Sequence, residues 1–427
     1  MTLRLVSVPA PVRPLEAALG ALSAFDPMSA LLDVPGGPRV VTAGVLRRVP
    51  PGPGLAARAK AALADVAGDA HLVGALPFAS PFREVTPEPP FDALAALGLV
   101  LPRLSYELGD GCATLTLCHA DGDPPAHVLA AALAAIDRAR PPGAGSLLGI
   151  AVRPLPAMRY QQMVEAALGA IGEGRLQKVV LARRTLVTAP RPFDPASALS
   201  RLTDEPNALR FCVRAGELAF VGASPERLVA RTGLDVRTEA LAGSARRSDD
   251  LVGDPKERAE HAHVADAIAE RLGRLCDVLE VASTPEVRAV ARGVHLRTPV
   301  RARLREPVHV LDLVSALHPT PAVAGTPNDV ALALLSALEP VPRGLYAGPV
   351  GYCDARGDGD FWVALRSGLL AGAEAHLYAG AGIVRGSDPA REHAETEWKL
   401  RTMLHALGAA DAPPRTSEAA PLLGGRP

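Results

Sequence analysis

The sequence of 427 residues has few cysteines and no excess of charge of either sign. Its 45 Lys and Arg residues balance 46 Asp and Glu residues, and the net charge is -1. It therefore lacks the broad positive field by which proteins bind nucleic acid or anionic membranes, and neither partner is expected. Its five cysteines are odd in number and show no C-x-x-C spacing, which argues against a disulfide framework or a zinc site. We therefore expect a reducing compartment, the cytoplasm.

Long apolar runs are also missing from the chain. No stretch reaches the ~18 apolar residues that a membrane span needs, and the N-terminal segment breaks on prolines before it can form a signal-peptide core. Hydrophobic residues at 48% and charged residues at 21% are the proportions of a globular protein.

The order of segments predicts a mixed α/β fold with hairpin-linked, largely antiparallel strands. A long helix is predicted at 254–280, a short one at 328–338 and the last at 388–408, and FCVRAGELAFVGA is predicted to form a hairpin that turns at 215–217. Pro and Gly at 141–157 suggest a linker, so we divide the chain into 1–150, 151–408 and a disordered tail at 409–427.

Two predicted helices begin with similar sequences, DPKERAEH at 254–261 and DPAREHAE at 388–395. Each has an Asp N-cap, Pro at the first helical position, and two glutamates three residues apart that face the same way. Four carboxylates converging from two helix starts suit a hard cation such as Mg²⁺. The alternatives are a capping box between Asp254 and Glu257 and an ion pair between Glu395 and Lys399. The predicted metal ligands are Glu257, Glu260, Glu392 and Glu395.

Two further residues are candidates for proton transfer. Lys178 begins the apolar strand KVVL, and a lysine drawn into an apolar site can act as a general base near neutral pH. The alternative is a strand-end lysine whose ammonium reaches water. Glu226 in GASPERL follows the hairpin and suits a general acid if it is desolvated, or it is a turn carboxylate paired with Arg227.

Three other features suggest anion binding or catalysis. His318 precedes two prolines in the apolar segment LHPTPAVAG, where a structural histidine is commoner than a catalytic one. Arg366 in the strand-like run WVALRSG is an anion clamp or part of a strand-face ion pair. Gly380 and Gly382 can present backbone N–H groups to a carboxylate, although a lone G-x-G is a weak signal.

Nine segments together resemble the chorismate-utilising enzymes, which include isochorismate, salicylate, anthranilate and aminodeoxychorismate synthases. They occur in family order over about 250 residues. They are LQKVVLARR (176–184), GASPERL (222–228), TEALAGSARR (238–247), DPKERAEH (254–261), LHPTPAVAG (317–325), PRGLYAGPVGY (342–352), WVALRSG (362–368), YAGAGIV (378–384) and SDPAREHAETEWK (387–399). GALPFA at 74–79 resembles the N-terminal half of the family.

The resemblance implies a large α/β sandwich in which both halves of the chain build one domain around a central site, so the linker is not a domain boundary. It implies Mg²⁺ as cofactor and chorismate as substrate, with Glu260 and Glu395 binding the metal directly and Glu257 and Glu392 through water. The implied catalytic residues are Lys178, Glu226 and His318. The implied substrate-binding residues are Gly243, Ser244, Tyr346, Arg366, Gly380, Gly382 and Lys399.

A few positions separate the subgroups of the family. Ala242 stands where similar aminodeoxychorismate synthases have a nucleophilic lysine, and Lys178 stands where anthranilate synthases typically have glutamine. These differences favour water as the nucleophile, isomerisation of chorismate to isochorismate, and no amidotransferase subunit. The alternative is a salicylate synthase, which goes on to eliminate pyruvate, but the small run Ala322–Ala324 argues against it. Isochorismate feeds siderophore, menaquinone or salicylate synthesis, and the sequence does not select among them.

Overall fold

A computed structural model describes residues 2–410 apart from 80–88, 123–124, 144–148, 204, 206, 246–247, 249–250, 252 and 291–292. The predicted tail at 409–427 lies outside the described residues from 411 onward. Within the described ranges, no helix is both long and apolar enough to cross a membrane.

The helices of the described chain vary in length from one turn to five. They are α1 (Leu15–Leu22), α2 (Leu55–Leu63), α3 (Asp92–Ala95), α4 (Pro125–Arg138), α5 (Ala157–Gly172), α6 (Pro195–Ser200), α7 (Pro255–Gly273), α8 (Val310–Leu317), α9 (Asn328–Leu338) and α10 (Pro389–Ala406). The longest, α7 and α10, are the two that begin with Asp-Pro.

The strands occur along the whole described chain. The first twelve are β1 (Leu3–Pro9), β2 (Met28–Asp33), β3 (Arg39–Ala43), β4 (Arg47–Val49), β5 (Val66–Ala67), β6 (His71–Ala75), β7 (Leu99–Leu101), β8 (Leu104–Leu108), β9 (Ala113–Ala120), β10 (Ala151–Pro154), β11 (Lys178–Thr188) and β12 (Leu209–Ala215). The others are β13 (Leu218–Ser224), β14 (Arg227–Thr232), β15 (Asp235–Ala245), β16 (Cys276–Val281), β17 (Glu286–Val290), β18 (Gly293–Leu304), β19 (Gly325–Thr326), β20 (Pro349–Asp354), β21 (Gly359–Val363), β22 (Ser367–Ala371) and β23 (Glu374–Val384).

These strands form two large sheets. The first has 13 strands in the order β10-β11-β23-β22-β13-β12-β2-β3-β8-β9-β1-β5, with β19 beside β11. The second has 10 strands in the order β16-β18-β15-β14-β21-β20-β6-β7-β4, with β17 beside β18. Among the named strands of the described chain, every pair is antiparallel except β1 with β5.

Strand pairing crosses the boundary that we predicted at residue 150. β12 pairs with β2 in the first sheet, and β20 pairs with β6 in the second. Both sheets therefore need strands from both parts of the chain. The division into 1–150 and 151–408 stays a prediction about the sequence.

Apolar side chains fill both faces of the first sheet. Phe211 and Phe220 point from it into a cluster that also contains Val350 and Phe361 of the second sheet. Residues of opposite parity, such as Cys212, join a second cluster beneath the helices on the outer face. This alternation is the period-2 pattern of strands with both faces buried. The predicted α/β sandwich of mostly antiparallel sheets flanked by helices is confirmed.

Local signals predicted most elements near the site, with an error at the end of the helix predicted at 254–280. The hairpin turn at 215–217 and the helix at 328–338 are both present. The helix predicted at 254–280 ends at Gly273, and Cys276–Val281 forms β16 against β18. The prediction was wrong there because Leu275 and Leu279 continue the helical spacing, whereas pairing with a distant strand decides their conformation.

Phe211 offers a test of the core between the sheets. It is fully buried, and its ring centroid lies 5.3 Å from that of Phe220. Phe211→Ala should lower the free energy of unfolding by about 3–5 kcal/mol, because it removes apolar contacts and leaves a cavity. Phe25→Ala, at a side chain that is 41% exposed, should change it little. Equilibrium unfolding in urea measures both, and equal effects would contradict this assignment of the core.

Candidate active site

Two adjoining cavities contain most of the predicted site residues. The inner cavity lies where β11 and β23 approach β15 and α7, and nine predicted residues line it: Glu226, Gly243, Ser244, Glu260, Tyr346, Arg366, Gly380, Gly382 and Lys399. An outer cleft opens between the starts of α7 and α10 and is lined by Glu257, Glu392 and Glu395. Ser244 lines both cavities, so they meet at this residue.

The Asp-Pro helix starts bring the four glutamates together. Asp254 accepts a hydrogen bond from the Lys256 N–H at 2.8 Å, and Asp388 accepts one from the Arg391 N–H at 2.8 Å. The capping-box alternative for Glu257 is wrong, because its Oε2 accepts from the Ser244 N–H at 2.8 Å and not from the cap. The N-terminal turns of both helices therefore leave their glutamates free to face the site.

Three lysines neutralise these glutamates. Lys178 Nζ lies 3.0 Å from Glu260 Oε1, and Lys399 Nζ lies 2.6 Å from Glu395 Oε1. The second distance confirms the ion pair that we gave as an alternative to metal binding. Lys256 Nζ lies 3.0 Å from Glu257 Oε1 and 2.9 Å from Glu392 Oε1, and so it joins the starts of α7 and α10.

These charges shift the protonation of the glutamates in opposite directions. Burial by itself would raise the pKa of Glu260, but Lys178, Lys256 and Lys399 together hold that pKa below its usual value. Burial raises the pKa of Glu392 to about 7, with Lys256 opposing the shift and Glu395 adding to it. At Glu392, burial and the neighbouring Glu395 charge therefore outweigh the effect of Lys256 on the pKa.

The donor set fits a divalent cation, although the side chains are arranged around lysines. Among the described residues, no group of three or more His, Cys, Asp or Glu side chains is placed to hold a metal ion. Yet Glu392 is only 2% exposed, and its buried Oε2 has no hydrogen-bond partner. Gly382 leaves the room that Glu260 fills, since a Cβ there would lie 1.9 Å from Glu260 Oε1. Carboxylate oxygens are the ligands that Mg²⁺ prefers.

Lys178 is the first residue of β11 and is completely buried. The alternative in which its ammonium reaches water is therefore wrong. It lies behind the cavity lining, where Glu260 separates its ammonium from the cavity. Its role as a general base stays a prediction.

Glu226 lies in the short connection between β13 and β14 and is 4% exposed. Burial raises its pKa to about 8, with the Glu239 charge adding to the shift and Lys178 opposing it. The alternative pairing with Arg227 is wrong, because Arg227 binds Asp360 at 3.1 Å and stacks on the Trp362 ring. Glu226 is therefore mostly protonated at neutral pH, as a general acid must be.

Arg366 is in the turn between β21 and β22 and not in the strand that we predicted. Its backbone has φ 48°, a strained value for a residue other than glycine, and such strain is concentrated at functional sites. Its guanidinium lies 5.6 Å from the Trp398 ring centroid. Tyr346 lines the same cavity and stacks on Tyr378 at 5.2 Å. Together they present a cation and a phenol to the cavity.

The predicted histidine, His318, lies outside the cavity lining. Its Nε2 is 3.0 Å from the carbonyl oxygen of Phe78, to which it donates, and burial lowers its pKa to about 4. Its ring also contacts Phe78 edge-on. This environment is that of a structural histidine, which was the commoner alternative, and its catalytic role stays a prediction.

Sequence reasoning missed His295, which does line the cavity. Its Nδ1 lies 3.1 Å from the Gly243 carbonyl and 3.0 Å from Ser244 Oγ, and its Nε2 lies 3.3 Å from Arg366 Nη2. Burial, together with the Arg366 charge, holds its pKa well below the usual value. The neutral ring therefore donates to Gly243 and accepts from Arg366. No local signal marks His295, because it is one of several polar residues within the strand GVHLRTPV.

Comparison with known proteins identifies the family of the chain. The family model described as chorismate binding enzyme matches residues 60–408. The chain belongs to this family. The family predicted from the nine ordered motifs is thus confirmed.

Other chorismate binding enzymes show the extent of the likeness. The chain is 41% identical over 265 residues to the salicylate biosynthesis isochorismate synthase of Pseudomonas aeruginosa, which covers 59% of this chain and 55% of that protein. It is 39% identical over 278 residues to the isochorismate synthase DhbC of Bacillus subtilis, covering 60% and 70%. The chain thus spans about half the length of the first of these relatives.

The likeness to a solved structure covers more of this chain than the sequence matches do. The menaquinone-specific isochorismate synthase MenF of Escherichia coli superposes with a TM-score of 0.79 at 28% identity, over 95% of this chain and 94% of that one. The N-terminal strands of this chain therefore have counterparts in that structure, although the sequence matches above cover only about three fifths of the chain.

Gly382 provides a test of the site's shape. Gly382→Ala should weaken chorismate binding at least about tenfold, equivalent to about 1.4 kcal/mol, because the new methyl group displaces the Glu260 carboxylate. Gly169→Ala, in an exposed turn of α5 with no atom within 4 Å of the new Cβ, is the matched control. Calorimetric titration with chorismate measures both, and equal affinities for the two variants would contradict this reading of the cavity.

Proposed function

We propose that this chain is an isochorismate synthase that uses Mg²⁺ and isomerises chorismate. The observation that carries the proposal is the buried carboxyl group of Glu226, whose pKa burial raises to about 8, in a cavity with the lysine Lys178 close behind its lining. An acid and a base with separate environments are what a hydroxyl transposition requires. The names of the similar proteins, and the absence of a lysine at Ala242, support the same activity.

The four-glutamate cluster is the proposed place of the cation. Glu257, Glu260, Glu392 and Glu395 would hold Mg²⁺, and the orphaned Oε2 of Glu392 supports this assignment. When bound, the cation supplies positive charge that fixes the ring carboxylate of the substrate and offsets the surrounding glutamates.

The other carboxylate of chorismate, on the pyruvyl group, belongs at the opposite end of the cavity. Arg366 and Tyr346 bind it there, because a guanidinium and a phenol can both donate to one carboxylate. His295 accepts from Arg366 and so holds the guanidinium in place. Gly243 and Ser244 in the bulge of β15, and Gly380, Gly382 and Lys399 beside β11, complete the wall around the ring.

Two proton transfers accompany the isomerisation. Lys178 acts in its neutral amine form, as a base must, and takes a proton from water as the water oxygen attacks C2. The ring double bonds shift, the C4–O bond breaks, and Glu226 gives its proton to the departing hydroxyl, which leaves as water. Each transfer contributes about 10²–10⁴-fold to the rate. No electrons are exchanged with a redox cofactor, and no ammonia is consumed.

The loop at 322–324 supports release of intact isochorismate. Ala322 and Val323 line the cavity with small apolar surfaces, and Val323 accepts a 2.6 Å hydrogen bond from Arg343, which holds the loop in place. No polar side chain of this loop is available to help break the pyruvyl ether bond.

The direct test follows chorismate by proton NMR with Mg²⁺. We expect chorismate and isochorismate to approach the same equilibrium mixture from either side, because the reaction neither loses carbon nor consumes a second substrate. Pyruvate should appear only as a trace. Salicylate and pyruvate accumulating in equal amounts at the catalytic rate would instead assign a salicylate synthase. A product that forms only with added ammonia would assign an aminating enzyme.

The raised pKa of Glu226 predicts the pH dependence. A general acid works in its protonated form, so kcat should fall as the pH rises through about 8, where Glu226 loses its proton. Glu226→Gln should lose activity by orders of magnitude at every pH, since an amide cannot donate the required proton. Glu217→Gln, in the exposed hairpin turn, should keep the wild-type profile. A wild-type kcat that stays constant from pH 7 to 10 would exclude this role.

A further inference from the structure

Lys256 takes no part in the proposed chemistry, yet its ammonium lies inside the glutamate cluster. It binds one glutamate on its own helix and one on α10, at 3.0 Å and 2.9 Å. Its side chain is 18% exposed, whereas Lys178 is completely buried. Lys256 is therefore on the solvent side of the cluster.

The composition of the chain shows that a lysine at this place is unusual. The sequence contains 41 arginines and only four lysines, at positions 60, 178, 256 and 399. Three of the four pair with the site glutamates. A lysine ammonium is a compact charge on a flexible stem, whereas a guanidinium is a wide planar fork that binds carboxylates side-on. A lysine ammonium can therefore enter and leave the glutamate cluster more easily than an arginine guanidinium can.

A bound metal ion and this ammonium compete for the same oxygens. Mg²⁺ binds carboxylate oxygens at 2.0–2.1 Å, and an ammonium hydrogen bond to the same oxygen places a second positive charge beside the ion. Both Glu257 Oε1 and Glu392 Oε1 are engaged by Lys256. The outer cleft, which Lys256 also lines, offers the displaced ammonium two other carboxylates, Asp254 and Asp388.

We propose that Lys256 is a displaceable counter-ion that occupies the glutamate cluster without metal and swings into the outer cleft when Mg²⁺ binds. It stabilises the metal-free fold, because two helix starts with buried glutamates would otherwise repel each other. It also weakens the affinity for Mg²⁺, because each binding event breaks two charge-assisted hydrogen bonds. The inference rests on the proposed function, which assigns Mg²⁺ to this cluster.

Removal of the Lys256 charge distinguishes a displaceable counter-ion from a lysine that orients the ligands of the loaded metal site. Lys256→Met removes the charge and keeps most of the length of the side chain, and should bind Mg²⁺ about 10- to 100-fold more tightly than the wild type in calorimetric titrations without substrate. Without divalent cations it should melt at a lower temperature than the wild type, and saturating Mg²⁺ should remove the difference. Weaker or unchanged Mg²⁺ affinity would overturn the proposal, since a lysine that orients the ligands of the loaded site would behave in that way.

Two variants serve as controls. Lys60→Met, at an exposed position of α2, should leave both the Mg²⁺ affinity and the melting temperature unchanged. Lys256→Arg keeps the charge and should not gain affinity. A gain in Lys256→Arg equal to that in Lys256→Met would overturn the counter-ion role, because the charge would then not be the cause.

A second measurement follows the Lys256 side chain directly in the wild-type protein. With lysine labelled at the ¹³Cε position, the four lysines give at most four signals, and Lys256→Met identifies the one from position 256. Addition of Mg²⁺ without chorismate should move that signal toward that of the exposed Lys60. No movement at saturating Mg²⁺ would overturn displacement. Neither measurement requires turnover. A failure of the counter-ion proposal can therefore be distinguished from a failure of the proposed activity, which the NMR assay of isochorismate formation tests.

Discussion

The electrostatic balance between four glutamates and three lysines is the constraint on which the site depends. Two helices start at the same place, and the partial positive charge at each N-terminus favours anions there. That effect is small and does not stabilise four buried carboxylates by itself, so the lysines are needed. With all groups charged, four glutamates and three lysines leave one negative charge. A divalent cation that displaced Lys256 would bring the net charge of the cluster to zero, so the loaded cluster would no longer repel an anionic substrate.

The sheets hold this cluster in register. β11 and β23 pair over eleven residues, with Lys178 opposite Val384, and α10 starts five residues after that strand ends. The bulge at Gly243, where φ is 75°, turns the Ser244 N–H toward Glu257. Any side chain at Gly382 would push Glu260 away from Lys178. Ion pairs of this kind keep their geometry only where the backbone behind them is rigid.

Much of this arrangement could be predicted because its signals are local. Asp-Pro helix starts, glutamates three residues apart and a short hairpin turn are each determined within a few residues, and their order along the chain indicates the family. His295 and Lys256 could not be found in that way. His295 matters because β18 pairs with β15 and so brings it beside Arg366, about 70 residues away in the sequence. Lys256 follows an N-cap like any exposed lysine, and only its neighbour from α10 shows its role.

The protonated state of Glu226 follows from the same separation of charges. The lysines lie on the side of the cavity that holds the glutamate cluster, and their effect on Glu226 is smaller than that of burial, so its pKa stays near 8. A lysine as close to Glu226 as Lys178 is to Glu260 would favour the carboxylate and remove the acid. The site therefore needs its lysines kept away from Glu226, and the ion pairs to Glu260, Glu392 and Glu395 hold them in the glutamate cluster. The same ion pairs that stabilise the cluster thus preserve a neutral acid in the cavity beside it.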